Sequence, residues 1–281
     1  MPKALHGHES RQGIIAMKKA IVCAVLFFLS FQQVFAEQFL DFTWEQIILP
    51  SRLWPDGVKL DEIVIIGYTG NSTAITIPGV INGLPVTEIG SSAFAGRGLT
   101  NIAIPDSVTE IGADAFANNH LTHIDFPDSV REIRANAFAN NRLTSVDLPS
   151  RIYSINSGAF ANNLLASVNL PSGLFSIGAG AFARNCLTSI AIPDSVSTIA
   201  PAAFAHNLLT NIVIHDGVRQ IEYAAFAHNP LTSITIGAGV FLVWEVLGDG
   251  GSFDWVYTDG GKLAGTYTRA NPESTEWVRE E

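Results

Sequence analysis

Cysteine is nearly missing from this chain of 281 residues, which holds only Cys23 and Cys186. Cys23 sits in an N-terminal apolar run, so the folded part keeps a single thiol and no internal disulfide can form. Charged residues are also scarce, at 15%, and they lean acidic to a net −10. That excludes the basic surface a nucleic-acid partner requires. Long hydrophobic runs are absent too: Ile21 to Phe31 falls short of the roughly 20 residues that cross a bilayer as a helix. No glycine-rich phosphate loop, HExxH or CxxC occurs, so the common signatures of nucleotide, zinc-hydrolase and thiol-redox chemistry are missing.

The apolar run has a different meaning. Met17-Lys18-Lys19 precedes it and Val34-Phe35-Ala36 follows, the order of charge, apolar core and small-residue cleavage site in a secretory signal peptide. Cleavage is expected after Ala36. Met17 is expected as the true start, leaving residues 1–16 as an overhang upstream of a signal peptide at 17–36. A lipid anchor on Cys23 is disfavoured because Val22 precedes it inside the apolar core. Losing residues 1–36 removes Lys3, Arg11, Lys18, Lys19 and Glu9, leaving 12 basic against 25 acidic residues, a net of −13.

What the sequence has in abundance is repetition. Ala-Phe-Ala occurs seven times, centred on Phe94, Phe116, Phe138, Phe160, Phe182, Phe204 and Phe226, and the interval never changes. A leucine follows each at a fixed distance, from Leu99 to Leu231. Then come Ile102, Ile124, Val146, Val168, Ile190, Ile212 and Ile234, and next but one Ile104, Phe126, Leu148, Leu170, Ile192, Ile214 and Ile236. This alternation reads as one short strand per repeat. Proline ends five of the runs (Pro105, Pro127, Pro149, Pro171 and Pro193), with His215 and Gly237 in the last two; proline has no N–H to carry the ladder on. A second apolar pair, such as Val108 and Ile111, leads to the next Ala-Phe-Ala turn.

The handful of side chains that one repeat buries cannot offset the entropy of ordering its backbone. Stacked repeats can fold, because each covers its neighbour. The small alanines let coils approach to strand spacing, so the phenylalanines can form a spine. Just beyond each phenylalanine, at one constant offset, stand Asn119, Asn141, Asn163, Asn185, Asn207 and Asn229, with Arg97 in the first repeat. This column is expected to be a structural ladder that satisfies interior backbone groups.

These residues carry a resemblance. The pattern L-T-x-I-x-I-P-x-x-V-x-x-I-x-x-x-A-F, as in Leu187 through Phe204, resembles the BspA-type leucine-rich repeats of bacterial surface and secreted proteins. The segment Ile75-Thr76-Ile77-Pro78 with Ile81-Asn82-Gly83-Leu84-Pro85-Val86-Thr87 is similar to that family's first repeat, and Gly265-Thr266-Tyr267 with Trp277 to its C-terminal segments. Many members have a slightly longer repeat with cysteine in the turn, where this chain has asparagine. The resemblance implies a leucine-rich-repeat solenoid, an exported adhesion role toward protein, cells or polysaccharide, and no catalytic residues.

The expected fold is a β-rich solenoid over 75–236, with one short parallel strand per repeat. An N-terminal hairpin cap is expected at 37–74, with Trp44, Trp54, a Pro55-Asp56-Gly57 turn and Ile63-Val64-Ile65-Ile66. A C-terminal aromatic β cap and tail is expected at 237–281. There Gly248 falls where an eighth phenylalanine would stand, and Phe253, Trp255, Tyr257 and Tyr267 are expected to cover the last coil.

The candidate binding surface is the outward side of the strands. One column runs Asn101, His123, Ser145, Ser167, Ser189, Asn211 and Ser233, the other Ala103, Asp125, Asp147, Asn169, Ala191, Val213 and Thr235. Its alternative role is to keep the sheet soluble. Tyr153 and Phe175 form a second candidate patch, in a column otherwise filled by Thr109, Arg131, Ser197 and Arg219. His123 and Asp125 can pair, but serine recurs beside them at Ser145, Ser167, Ser189 and Ser233, a repetition that reads as a surface and not as a triad. His206 and His228 share a column without a third ligand, whereas zinc takes three or four. The expectation is therefore a binding protein, neither enzyme nor metalloprotein, with no cofactor. Its partner is an extracellular protein or polysaccharide, with self-association in the cell envelope as the alternative.

Overall fold

A computed structural model describes residues 36–39, 41–48 and 61–280. Most of the expected signal peptide, the overhang before it, Trp54 and the Pro55-Asp56-Gly57 turn lie outside the described residues. The rest is a stack of coils in which the sequence period becomes a spatial repeat. The expected strands appear at Asn101–Ala103, Ser145–Asp147, Ser167–Asn169, Asn211–Ile214 and Ser233–Ile236. The last four pair in parallel one repeat apart, Val146 opposite Val168 and Ile212 opposite Ile234, and Asn101–Ala103 pairs in parallel with Ala74–Thr76. The coils of His123 and Ser189 keep the inward column through buried Ile124 and Ile190 without forming a ladder of their own.

Each coil also carries a second strand. Glu110–Ile111, Glu132–Ile133, Ser154–Ile155, Ser176–Ile177, Thr198–Ile199, Gln220–Ile221 and Phe241–Leu242 are two residues long. From Ser154 onward they pair continuously in parallel. The isoleucines point inward and are buried.

Between the ladders runs the phenylalanine spine. Successive rings from Phe94 to Phe226 stack with centroids 5.2–5.6 Å apart and planes within 18° of parallel, a favourable spacing for aromatic pairs. The preceding alanines, Ala115 and Ala137 among them, are fully buried, so no larger side chain fits there. Beside the spine each ladder asparagine bridges two coils. Its Oδ1 accepts the leucine N–H of the preceding coil at 2.9–3.1 Å. Its Nδ2 donates to the phenylalanine carbonyl of that coil at 2.8–3.0 Å and to that of its own. Arg97, exposed, can hold this place in the first repeat, which has no phenylalanine coil before it to bond to.

At the N-terminal end, β1 (Ala36–Phe39), β2 (Phe42–Ile48) and β3 (Asp61–Tyr68) form an antiparallel meander. β3 pairs in parallel with Leu84–Ile89, which continues into the second ladder. Tyr68 and Phe42 extend the spine, the Tyr68 ring 5.9 Å from Phe94 and 5.3 Å from Phe42. A small hairpin pairs Val80–Ile81 with Leu84–Pro85. Its turn is Asn82-Gly83 with φ of 51° and 79°, the positive-φ pair that a two-residue hairpin turn needs.

The C-terminal end corrects two expectations. The repeat continues for one more, shortened coil: Phe226 N–H donates to Val246 O as Phe204 N–H does to Ala225 O. The buried Leu247, and not Gly248, therefore takes the spine position, because one residue is missing from this coil. Second, an unexpected helix, α1 (Ser252–Asp259), lies on the coil. Phe253, Asp254 and Tyr257 face inward at helical spacing, so Trp255 points away and is 55% exposed. It meets Trp244, itself exposed, edge-on at 5.6 Å, outside the buried cluster. Phe253 joins Tyr257, Tyr267 and Trp277 in a buried aromatic cluster. The Tyr257 hydroxyl accepts the Val240 N–H at 3.0 Å and donates to Gly237 O at 2.7 Å, satisfying backbone at the coil's open end. Gly265–Thr268 then pairs antiparallel with Ser233–Ile236.

Candidate binding face and terminal cavity

The two outward columns of the first ladder are exposed, as their alternation with buried residues implies. Asn101, His123, Asp125, Ser145, Asp147, Ser167 and Asn169 all face solvent. Register sets Ser145 beside Ser167 and Asp147 beside Asn169. Asn169 Nδ2 donates to Asp147 Oδ1 at 2.5 Å, and His123 Nε2 lies 2.8 Å from Asp125 Oδ1. Both pairs are open to water, where such contacts hold side chains in place but contribute little stability. Parallel sheets usually have both faces covered by helices. Here no described element covers this face; only at its end do Thr266 and Thr268 flank Thr235 and Ser233.

The face has one sign of charge. Exposed Asp106, Asp128, Asp194 and Asp216 line the strand exits beside Asp125 and Asp147. No lysine occurs between Lys59 and Lys262, and no arginine stands in either outward column. Arg131, Arg134, Arg142, Arg184 and Arg219 belong to other columns, and Arg151 stands just beyond the row of exit aspartates. An unbalanced row of carboxylates attracts basic partners and speeds their encounter.

Tyr153 and Phe175 stand elsewhere, immediately before strands of the second ladder. Their rings stack at 5.2 Å and 6° and are 60% and 43% exposed. The sequence candidates thus divide between two surfaces. His206 and His228 stack at 4.1 Å and 19°. Rings that face each other aim their lone pairs along parallel planes and do not converge on one ion. Burial, then His228 and Arg184, lowers the His206 pKa. No group of three or more metal-ligating side chains occurs among the described residues.

Sequence reasoning did not single out a cavity of about 250 Å³ at the strand exits of the last coils. Val213 and Ile236 form apolar parts of its lining, His215, Asp216 and Thr235 polar ones, and Gly265 comes from the C-terminal strand. Asp194 Oδ1 lies 3.3 Å from His215 Nδ1. A Cβ on Gly237 would fall 2.3 Å from Asp216 Oδ1, so only glycine leaves room for that carboxylate. The signal was present in the proline column, which breaks at His215 and Gly237.

A family model for the BspA type leucine rich repeat region matches in six copies over residues 87–207 and 131–243, more than half of the chain. The chain belongs to the BspA-type leucine-rich-repeat family. Among solved structures, this BspA-type chain is similar to a leucine rich cell surface protein from Faecalibacterium prausnitzii A2-165, at 26% identity and TM-score 0.51 over 72% of this chain and 54% of that one. It thus spans about half the length of that relative. It is also similar to the T. pallidum leucine rich repeat protein, at 26% identity and TM-score 0.44 over 69% and 78% of the two chains. No protein of curated function matches the BspA-type chain.

Proposed function

We propose that the chain is an exported, adhesin-like binding protein that takes an extracellular protein or polysaccharide on its exposed strand face. The observation that carries this reading is the bare outer face of a parallel ladder, polar, acidic and without lysine or arginine in its columns. The surface location in the description of the Faecalibacterium prausnitzii relative supports export, as do the signal-peptide features of residues 17–36. The absence of any lysine or arginine from the outward columns favours a partner with a basic surface. The test is a screen of the mature chain against immobilised matrix proteins and envelope glycans. Each hit is repeated with His123, Asp125, Asp147 and Asn169 changed together to alanine. Saturable binding that this variant loses supports the strand face. Binding that persists moves the site elsewhere, and an intact fold without any binding overturns the reading.

A second reading, a structural protein that self-associates in the cell envelope, is favoured by the exposed Tyr153–Phe175 stack, since adjacent exposed aromatics are natural interface anchors. Its test is light scattering over a concentration series. Oligomers that disappear in Tyr153→Ser/Phe175→Ser support it, and a strict monomer overturns it.

A further inference from the structure

We infer that the terminal cavity is an anchor for one basic side chain, arginine or lysine, from a protein partner lying on the strand face; the inference rests on the strand-face reading above. The cavity, about 250 Å³, is smaller than pockets that hold drug-sized molecules and matches a single long side chain. Val213, 42% exposed, offers apolar surface to an aliphatic stem, with the buried Ile236 beneath the floor. At the polar end Asp216 awaits the charged head, and no cationic side chain among the described residues pairs with it. Asp194 adds a second carboxylate behind His215. Arg279, on the strand next to Gly265–Thr268, bonds the Ala264 carbonyl at 2.7 Å and makes no ion pair with Asp216.

The departures from the repeat all favour this site. Proline gives way to His215 where five earlier coils have it, and Gly237 leaves the space that Asp216 fills. The C-terminal strand closes one side of the cavity with Gly265. The Asp125 and Asp147 carboxylates lie on the same face, so a basic partner meets one sign of charge along the ladder and an open, unpaired acceptor at its end. An aliphatic stem without a charged tip leaves the Asp216 carboxylate unpaired. Carboxylate recognition of a guanidinium gives both strength and geometry.

The test is a titration of the full-length chain with Nα-acetyl-arginine amide and Nα-acetyl-lysine amide, followed by backbone amide chemical shifts. Nα-acetyl-norleucine amide and methyl glucoside serve as the uncharged and hydroxylated controls. The basic probes should shift the amides of Thr235, Ile236, Gly237 and Gly265 saturably in the millimolar range. Asp216→Asn should weaken them by about tenfold, the worth of one charge-assisted contact. His215→Pro, which restores the residue of the earlier coils, should abolish the shifts while the rest of the spectrum stays unchanged. Equal shifts from norleucine, retention in both variants, or response to the glucoside alone would overturn the anchor. The probes report the cavity without any partner, so failure here leaves the strand-face reading to the matrix screen, and failure of that screen leaves a measured cavity.

Discussion

Asn163 reaches back a full coil to Phe138, its Nδ2 2.9 Å from the phenylalanine carbonyl, while its Oδ1 accepts the Leu143 N–H at 3.0 Å. Both groups are buried, and the asparagine is the partner that the coil geometry gives them. Asn163→Ala leaves the Leu143 N–H unsatisfied, at about 1–3 kcal/mol, and takes one of two amide donors from the Phe138 carbonyl, which Asn141 still serves. Chemical denaturation should show a loss of that order, against a negligible change for the exposed Asn169→Ala. Equal midpoints for the two variants would refute the ladder's role.

Phe160 lies between Phe138 and Phe182, with each ring 5.6 Å away. Phe160→Ala should remove about 3–5 kcal/mol, as large-to-small changes in a packed core do. Because each coil touches only its neighbours, a break in mid-stack should also uncouple the two halves. Hydrogen exchange should then report different opening free energies on either side of residue 160, where the parent chain gives a single profile.

The shortened last coil makes opposite demands on adjacent residues. Leu247 occupies the spine position, so Leu247→Ala should destabilise by about 2–5 kcal/mol. Gly248 has φ +68°, and a Cβ there would fall 2.7 Å from the Ala227 Cβ. Gly248→Phe, which places phenylalanine one full sequence period after Phe226, should therefore lower the melting temperature and not raise it. A stabilised Gly248→Phe would show that the coil keeps its full period.

Asp254 is buried against the last coil, and burial pushes its pKa up from 3.8 to about 6. An acid whose folded pKa is raised is a liability while ionised. The penalty is full above about pH 6, fades as pH falls, and is gone below the unfolded value near 3.8. The C-terminal end should thus gain stability on acidification from pH 7 toward pH 4. Asp254→Asn should stabilise at pH 7 and flatten that dependence. Parallel melting-temperature profiles for the two proteins would contradict the assignment.

The architecture is legible in the sequence because identical side chains recur at one interval. Phe94 to Phe226, the inward isoleucines and the asparagines are each a column, and a column one coil apart is a contact. The second ladder is not legible, since strands as short as Ser154–Ile155 show no alternation. Leu247 escapes notice because counting by a fixed interval assumes that no residue is lost. Helix α1 is brief and follows a glycine-rich loop, too little for a helical pattern, and so the outward turn of Trp255 leaves no trace in the sequence. On the binding face, the columns are readable up to side-chain direction. The cavity is not, because Gly265 closes it from the far side of helix α1, well separated in sequence from Gly237.

Every ladder asparagine serves its own coil and the one before it, and needs no partner beyond those two. A duplicated repeat inserted between two coils brings its own Asn, its own Phe and its own Leu, and every bond at the new junction has the same partners as the old. The gene for such a chain can lengthen or shorten in whole steps without any intermediate that fails to fold. A smaller loss is tolerated only where it is found here, in the last coil, which has no later repeat to misalign.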